Sequence, residues 1–365
     1  MKNILSIAYN LIIFVLKITT IEPYFNGDNE ILNVNAQQRV LLITIDGFRH
    51  DFISRYNLEN FKKFQLNGAS SLAMLPQFPS LTIPNYWSMV TGVNIERHGI
   101  IANNFYDPLM NRKFDEHDYS LDRLKLWSYY DPIWVDAVKK NIKTGVLFWP
   151  NFNEWIFNPL LKKNHIRTSR MLTFNEKIDI TIDLFKTSGF QFCVINHNEP
   201  SLSGNRYGVD SYEFNMTIDD LDQSIGYLNK KLKNNGLSNT FDFNILIVSN
   251  QGISNIEQHV ILDMYLKKSD ADIWSENTSL FHLKPLIKIS KLMKKLREIP
   301  GVRIYTKRNI PDKLKYKKSS RIGDVIIHAK EGVSILHMRK NLIKNGTNKR
   351  YNSRKKIIQS SIKAR

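Results

Sequence analysis

The chain has 365 residues, of which 42% are hydrophobic and 24% charged, and a formal net charge of +18. That composition excludes a disordered chain and leaves room for one large domain or two ordinary ones. A single cysteine, Cys193, excludes any intrachain disulfide, so the fold must rest on its core.

The chain opens with MKNILSIAYNLIIFVLKITT. One lysine precedes an apolar run of roughly 13 residues, long enough for a signal-peptide core and short of the ~20 that span a membrane. Residues 1–20 are therefore read as a signal peptide, the other reading being an uncleaved N-terminal helix that anchors the protein. VLLITI at 40–45 is a β-type run stopped by Asp46-Gly47. A helical pattern follows around Leu58–Leu66, and PNYWSMVT at 84–91 reads as a helix with Pro in its first turn, closed by Gly92. Residues 131–140 are helical, and GVLFW at 145–149 is a strand cut by Pro150. An amphipathic helix over 172–187 precedes the strand FQFCVIN at 190–196. A long helix over 216–234 carries Ile218, Leu221, Ile225, Leu228 and Leu232 at helical spacing, and NILIV at 244–248 is again a strand. Strands alternating with helices argue for a parallel sheet with crossover connections. LFHLKPL, a helix over Ile289–Glu298, VRIYT and DVIIHA then read as a small α+β insert or a return to the main sheet. Residues 338–365 hold ten Lys or Arg and no Asp or Glu, leaving +8 for the rest. That basic tail reads as a solvated, disordered segment or as a polyanion contact.

Four segments end strands or follow them closely: ITIDGFR (43–49), FPSLTIPN (78–85), INHNEPSLSGNRYG (195–208) and VSNQGIS (248–254). In a parallel sheet they converge on one edge, where α/β proteins build their sites. Asp46 is a carboxylate leaving a buried strand, although Asp-Gly is also a common turn pair. Thr82 stands at a helix start, either as an N-cap or as a nucleophile that needs a metal or base to activate it. Cys193, inside a strand, is read as a buried apolar residue and not a nucleophile.

These segments, taken in order, resemble the ectonucleotide pyrophosphatase/phosphodiesterase family of the alkaline-phosphatase-like superfamily. The resemblance is carried by LLITIDGFRHDF, PQFPSLTIPNYWSMVTGVNIERHGIIANNFYDP, DPIWVDA, VLFWP, EPSLSGNRYG, MTIDDLDQSIGYLNKKL, NILIVSNQGIS and DVIIHAKEG, from about Val40 to about His337. It implies a mostly parallel central sheet flanked by helices, C-terminally truncated, in a phosphodiesterase-like domain over 40–337. It further implies hydrolysis of phosphodiester or pyrophosphate bonds by a threonine working with two zinc ions, which three Asp and three His hold. Carried over position by position, the first Asp falls on Asp46, the nucleophile on Thr82, and the Asn that holds a phosphoryl oxygen on Asn85. One Asp/His pair falls on Ser201 and Asn205, and another on Asn250 and Gln251. The last His has no counterpart. His197 and Glu199 could be offered as substitute ligands, but are read as surface or packing residues. His98 is read as structural and His50 as a surface residue.

Zinc binds anionic oxygen or sulfur and neutral imidazole, whereas amide oxygens are weak neutral ligands that suit calcium better. No cofactor is therefore expected, and at most one divalent ion, on Asp46 and Thr82. The expected function is that of a secreted, catalytically inactive family member that binds a nucleotide or phosphodiester ligand. The alternatives are a residual single-metal phosphodiesterase built on Thr82, or polyanion binding through the tail. If the chain is secreted, the sequons at Asn215, Asn277 and Asn345 become glycosylation sites.

Overall fold

A computed structural model describes residues 38–115, 130–150, 172–238 and 242–337. The N-terminal segment 1–20, the tail 338–365 and the sequon at Asn345 lie outside the described residues. The chain divides into two compact units. One runs to Asn255 and includes Arg308–Ile322; the other comprises Ile256–Lys307 and the chain from Gly323.

The first unit is built on a parallel sheet of β1 (Arg39–Asp46), β4 (Thr144–Leu147), β5 (Phe192–Pro200) and β6 (Phe243–Ser249), in the order β4-β5-β1-β6. Val40 to Ile45 of β1 are all buried, as expected for a strand covered on both faces. On one face Leu41, Ile43, Ile45, Cys193 and Ile195 meet Phe61, Ile178, Ile182, Phe214, Ile218, Leu221 and Ile225 from three helices, Glu59–Leu66, Phe174–Thr187 and Tyr212–Asn234. The last of these helices is the expected amphipathic one, begun four residues earlier by Ser211, whose hydroxyl accepts the N–H of Phe214 at 3.2 Å. Thr173 and Glu176 close a capping box on the Phe174 helix. Asp222 reaches back from the long helix to accept the N–H groups of Asn60 and Phe61 at the start of the Glu59 helix. Cys193 is buried, and burial pushes its thiol up, consistent with packing and not nucleophilic use.

The hairpin of β2 (Asn104–Asp107) and β3 (Arg112–Asp115) was not expected from the sequence. Its strands are only four residues each and turn at Asn111, at φ 48°, so no period emerges. The hairpin is fastened by a fully buried ion pair. Arg321 Nε meets Asp107 Oδ2 at 2.8 Å, and Arg321 also donates to the Gly99 carbonyl at 2.7 Å. The other Asp107 oxygen accepts the N–H of Leu109 at 2.9 Å and of Met110 at 3.2 Å.

The second unit has its own antiparallel sheet, with β8 (Ala271–Asn277), β9 (Leu280–Pro285), β10 (Val302–Thr306) and β11 (Val325–Ala329) in the order β10-β11-β9-β8. These strands form an α+β unit and do not rejoin the parallel sheet. A parallel pair of β7 (Gln258–Ile261) and β12 (Val333–Leu336) accompanies it. The helix Ile289–Leu296 buries Leu292 and Leu296 in this unit's core, beside Phe281, Leu283, Val325 and Ile327.

Removing one partner of a buried pair leaves the other charge uncompensated. Asp107→Ala is therefore expected to lower unfolding free energy by about 3–5 kcal/mol, read as a shifted urea midpoint at unchanged slope. An unchanged midpoint would show that the pair contributes nothing.

Candidate functional site at the strand ends

Strand β1 delivers Asp46 and turns sharply at Gly47, where φ is +78°. A Cβ at that glycine would lie 3.0 Å from both Ile253 Cγ2 and Ser201 Cβ, so only glycine lets the three segments close together. The β1–β5 register shifts between Ile45 and Asp46, which sets Asp46 opposite Pro200 and places Ser201 beside the turn. Strand β6 ends at Ser249, whose hydroxyl donates to the Gln251 carbonyl at 2.8 Å and shapes the Asn250-Gln251 turn.

Asn250, 1% exposed, accepts the N–H of Gly47 on Oδ1 at 3.3 Å. A backbone N–H can only donate, so this contact fixes the amide orientation. The Nδ2 therefore faces the carboxylate and donates to Asp46 Oδ1 at 2.8 Å. Next to it, Gln251 Nε2 donates to Thr82 Oγ1 at 3.0 Å, while Gln251 Oε1 is buried without a partner. Thr82 is the first residue of the helix Thr82–Thr91. The N-cap is Leu81, with no side-chain cap, so the Thr82 hydroxyl is not spent on capping. Asn205 donates to Ser201 Oγ at 3.3 Å on the short helix Ser201–Tyr207 that follows β5. Asp46, Thr82, Ser201, Asn205, Asn250 and Gln251 thus lie on segments that meet at the carboxyl ends of β1, β5 and β6.

Asn85 has another task. It is 1% exposed; its Oδ1 accepts the N–H of Gln77 at 2.7 Å, and its Nδ2 donates to the carbonyls of Pro79 and Leu81, both at 2.9 Å. Its amide holds the loop that leads into the Thr82 helix. Asn103, not singled out in the sequence, accepts the N–H of Ile83 on Oδ1 at 3.1 Å, and its Nδ2 has no acceptor among the described residues. It is the amide beside the Thr82 helix start with a donor to spare. Nothing in the spacing of GIIANNF marks it apart from Asn104.

His50, His98 and His197 make no hydrogen bond with this network. His98 is buried; its Nδ1 accepts the N–H of Ile100 at 3.1 Å, so the ring proton sits on Nε2, 2.9 Å from Ser88 Oγ. Burial lowers its pKa to about 3 and keeps it neutral, in line with a structural role. His197 stacks on Phe174 at 4.5 Å, and burial together with the nearby Lys177 ammonium lowers its pKa to about 3. Lys177 is itself brought down to about 8 by burial, donating to the Asn196 carbonyl at 2.8 Å. Glu199 accepts the N–H of Ser203 at 2.9 Å. His50 is exposed. Asn215 is exposed, and Asn277 donates to Ser275 Oγ at 2.9 Å at the end of β8.

The donor set does not fit zinc. Of the side chains carried over as ligands, Asp46 alone is anionic, and two amide N–H groups point where a cation would need oxygen or imidazole. Among the described residues no group of three His, Cys, Asp or Glu is placed to hold a metal ion. Chemically the network can present a carboxylate, hydroxyls and amide donors, and among the described residues no imidazole bonds to Thr82 to take its proton.

A helix-flanked parallel sheet, with a carboxylate and a helix-start threonine at its carboxyl edge, defines an alkaline-phosphatase-like α/β protein. The family model for type I phosphodiesterase/nucleotide pyrophosphatase matches residues 40–355, and the chain belongs to that family. It is 29% identical over 308 residues to the bis(5'-adenosyl)-triphosphatase enpp4 of Xenopus laevis, covering 82% of this chain and 66% of the relative. It is 28% identical over 304 residues to human ectonucleotide pyrophosphatase/phosphodiesterase family member 5, covering 82% and 63%. The chain thus spans about two thirds of the length of these curated relatives. The structure of murine ectonucleotide pyrophosphatase/phosphodiesterase 5 superposes with a TM-score of 0.75 at 26% identity, covering 83% of this chain and 81% of that one. An inactive threonine-to-alanine variant of the murine protein, in complex with AMP, superposes with a TM-score of 0.76.

Asn250→Asp would set a second carboxylate against Asp46 and remove its hydrogen bond. The expected cost near neutral pH is roughly 1–3 kcal/mol without metal. Two such carboxyls share a proton, so one has a raised pKa in the folded state. The variant's lost stability should return as pH falls through that raised value and vanish again as pH rises. Urea unfolding at pH 5 and pH 8 checks this; equal loss at both would disprove the contact.

Proposed function

We propose that this protein is a secreted, catalytically silent member of its family that acts by binding a phosphoester ligand of the nucleotide class. The observation that carries the proposal is the pair of internal hydrogen bonds, Asn250 to Asp46 and Gln251 to Thr82. Asp46 and Thr82 receive amide protons in place of a cation. Without activation the threonine hydroxyl keeps its proton near neutral pH and is a poor nucleophile. Asn103, with a spare amide donor at the start of the Thr82 helix, supplies a place for a phosphoryl oxygen. The AMP complex of the murine relative's inactive variant supports a nucleotide as ligand without turnover. Secretion is supported by the sequence of residues 1–20 and by the exposed sequon at Asn215.

Expression of the whole chain in a secreting cell line, without chelator, tests this reading. Protein should be recovered from the medium with glycan on Asn215, carry substoichiometric zinc, bind AMP in the presence of a chelator, and show no phosphodiester hydrolysis above that of Thr82→Ala. Stoichiometric metal together with turnover abolished by Thr82→Ala would establish a working hydrolase instead. Retention inside the cell would remove the secretion claim alone. The double substitution Asn250→Asp/Gln251→His should raise zinc affinity, because it restores one anionic and one imidazole ligand beside Asp46.

A further inference from the structure

The second unit carries a cationic surface that its own stability does not explain. On the helix Ile289–Leu296 and its two flanking residues, Lys288, Lys291, Lys294 and Arg297 are all exposed. No carboxylate pairs with any of them among the described residues. Of the acids at this helix, Asp270 is taken by Lys295 at 2.6 Å, and Glu298, just past the helix end, is exposed and forms no ion pair with the four. The helix has no acidic residue in its first turn, and Lys288 and Lys291 stand at its N-terminal end. Cations there oppose the helix dipole and cost stability, whereas Lys294 and Arg297 at the other end favour it. The first two therefore call for a reason outside the helix.

The four cations recur every third residue. Each step turns about 300° on a helix of 3.6 residues per turn, so over three steps the row winds about 180° round the solvent side, from Lys288 on one flank to Arg297 on the other, while it advances about 13 Å. We propose that this row is a docking surface for a linear sulfated polysaccharide, distinct from the basic tail. Charge complementarity selects a polyanion. The helix spends Leu292 and Leu296 on the unit's own core, with Met293 packed against it; only Ile289 and, before the helix, Leu286 stay exposed, two residues that make no continuous apolar stripe to enter a lipid surface. No aromatic residue lies on the helix, so there is no platform on which bases could stack. A chain of regularly spaced sulfates needs only the charges.

The test uses the full chain, tail included, and heparin as the probe. The substitutions Lys288→Gln, Lys291→Gln, Lys294→Gln and Arg297→Gln are combined in one variant; all four positions are exposed, and Gln is a good helix former. A control variant removes the same charge elsewhere through Lys63→Gln, Lys140→Gln, Lys230→Gln and Lys233→Gln, all exposed or partly so. The helix variant should bind heparin at least tenfold more weakly, and its plot of log K against log salt should flatten by about 3, from four lost contacts. The control should stay near wild type. An unchanged helix variant, or a control that falls equally, would overturn the surface. Binding to phosphatidylserine vesicles that exceeds heparin binding and depends on the same four residues would overturn the polysaccharide.

Discussion

The hydrogen bond from Asn250 to Asp46 answers a problem that the fold itself creates. A strand buried on both faces ends in a carboxylate, and a carboxylate drawn toward an interior needs a cation or good donors. Here the donor comes from the neighbouring strand end, and its orientation is held by the N–H of Gly47. The arrangement is a relay from backbone to amide to carboxylate, closed within the protein. Gln251 and Thr82 repeat the logic one residue on. The close approach of Gly47 to Ser201 and Ile253 lets three strand ends share this small volume.

Much of this was legible in the sequence. Strands β1, β4, β5 and β6 of the parallel sheet each announced themselves as a short apolar run, as expected for strands of a sheet flanked by helices. The Tyr212–Asn234 helix was visible in its periodic leucines and isoleucines. The hairpin Asn104–Asp115 was not, since four-residue strands are shorter than any pattern that could reveal them. Strands β8 and β12 were also missed: ADIWSEN mixes burial and charge, and VSIL is too short to distinguish from a loop.

The site was legible by place more than by role. The family resemblance located the strand ends correctly, and the structure gathers those segments. Asn85 and Asn103 show where such reasoning stops. Both are asparagines near Thr82, and only the contacts separate them. One amide is consumed by the carbonyls of residues 77–81, while the other holds the first turn of the helix and keeps a donor in reserve. No one-dimensional pattern records which way an amide faces.

The Arg321–Asp107 pair joins residues 214 positions apart, across a stretch in which the chain leaves the first unit at Asn255 and returns at Arg308. On the ribosome this separation becomes a delay. At about 5–20 residues per second, Asp107 waits roughly 10–40 seconds for its arginine to be synthesised. Throughout that interval the hairpin around Asp107 lacks its fastening, and the first unit cannot finish folding before the Ile256–Lys307 part of the second has been translated. The order of synthesis therefore makes one unit's completion a late event, although most of its residues are made first.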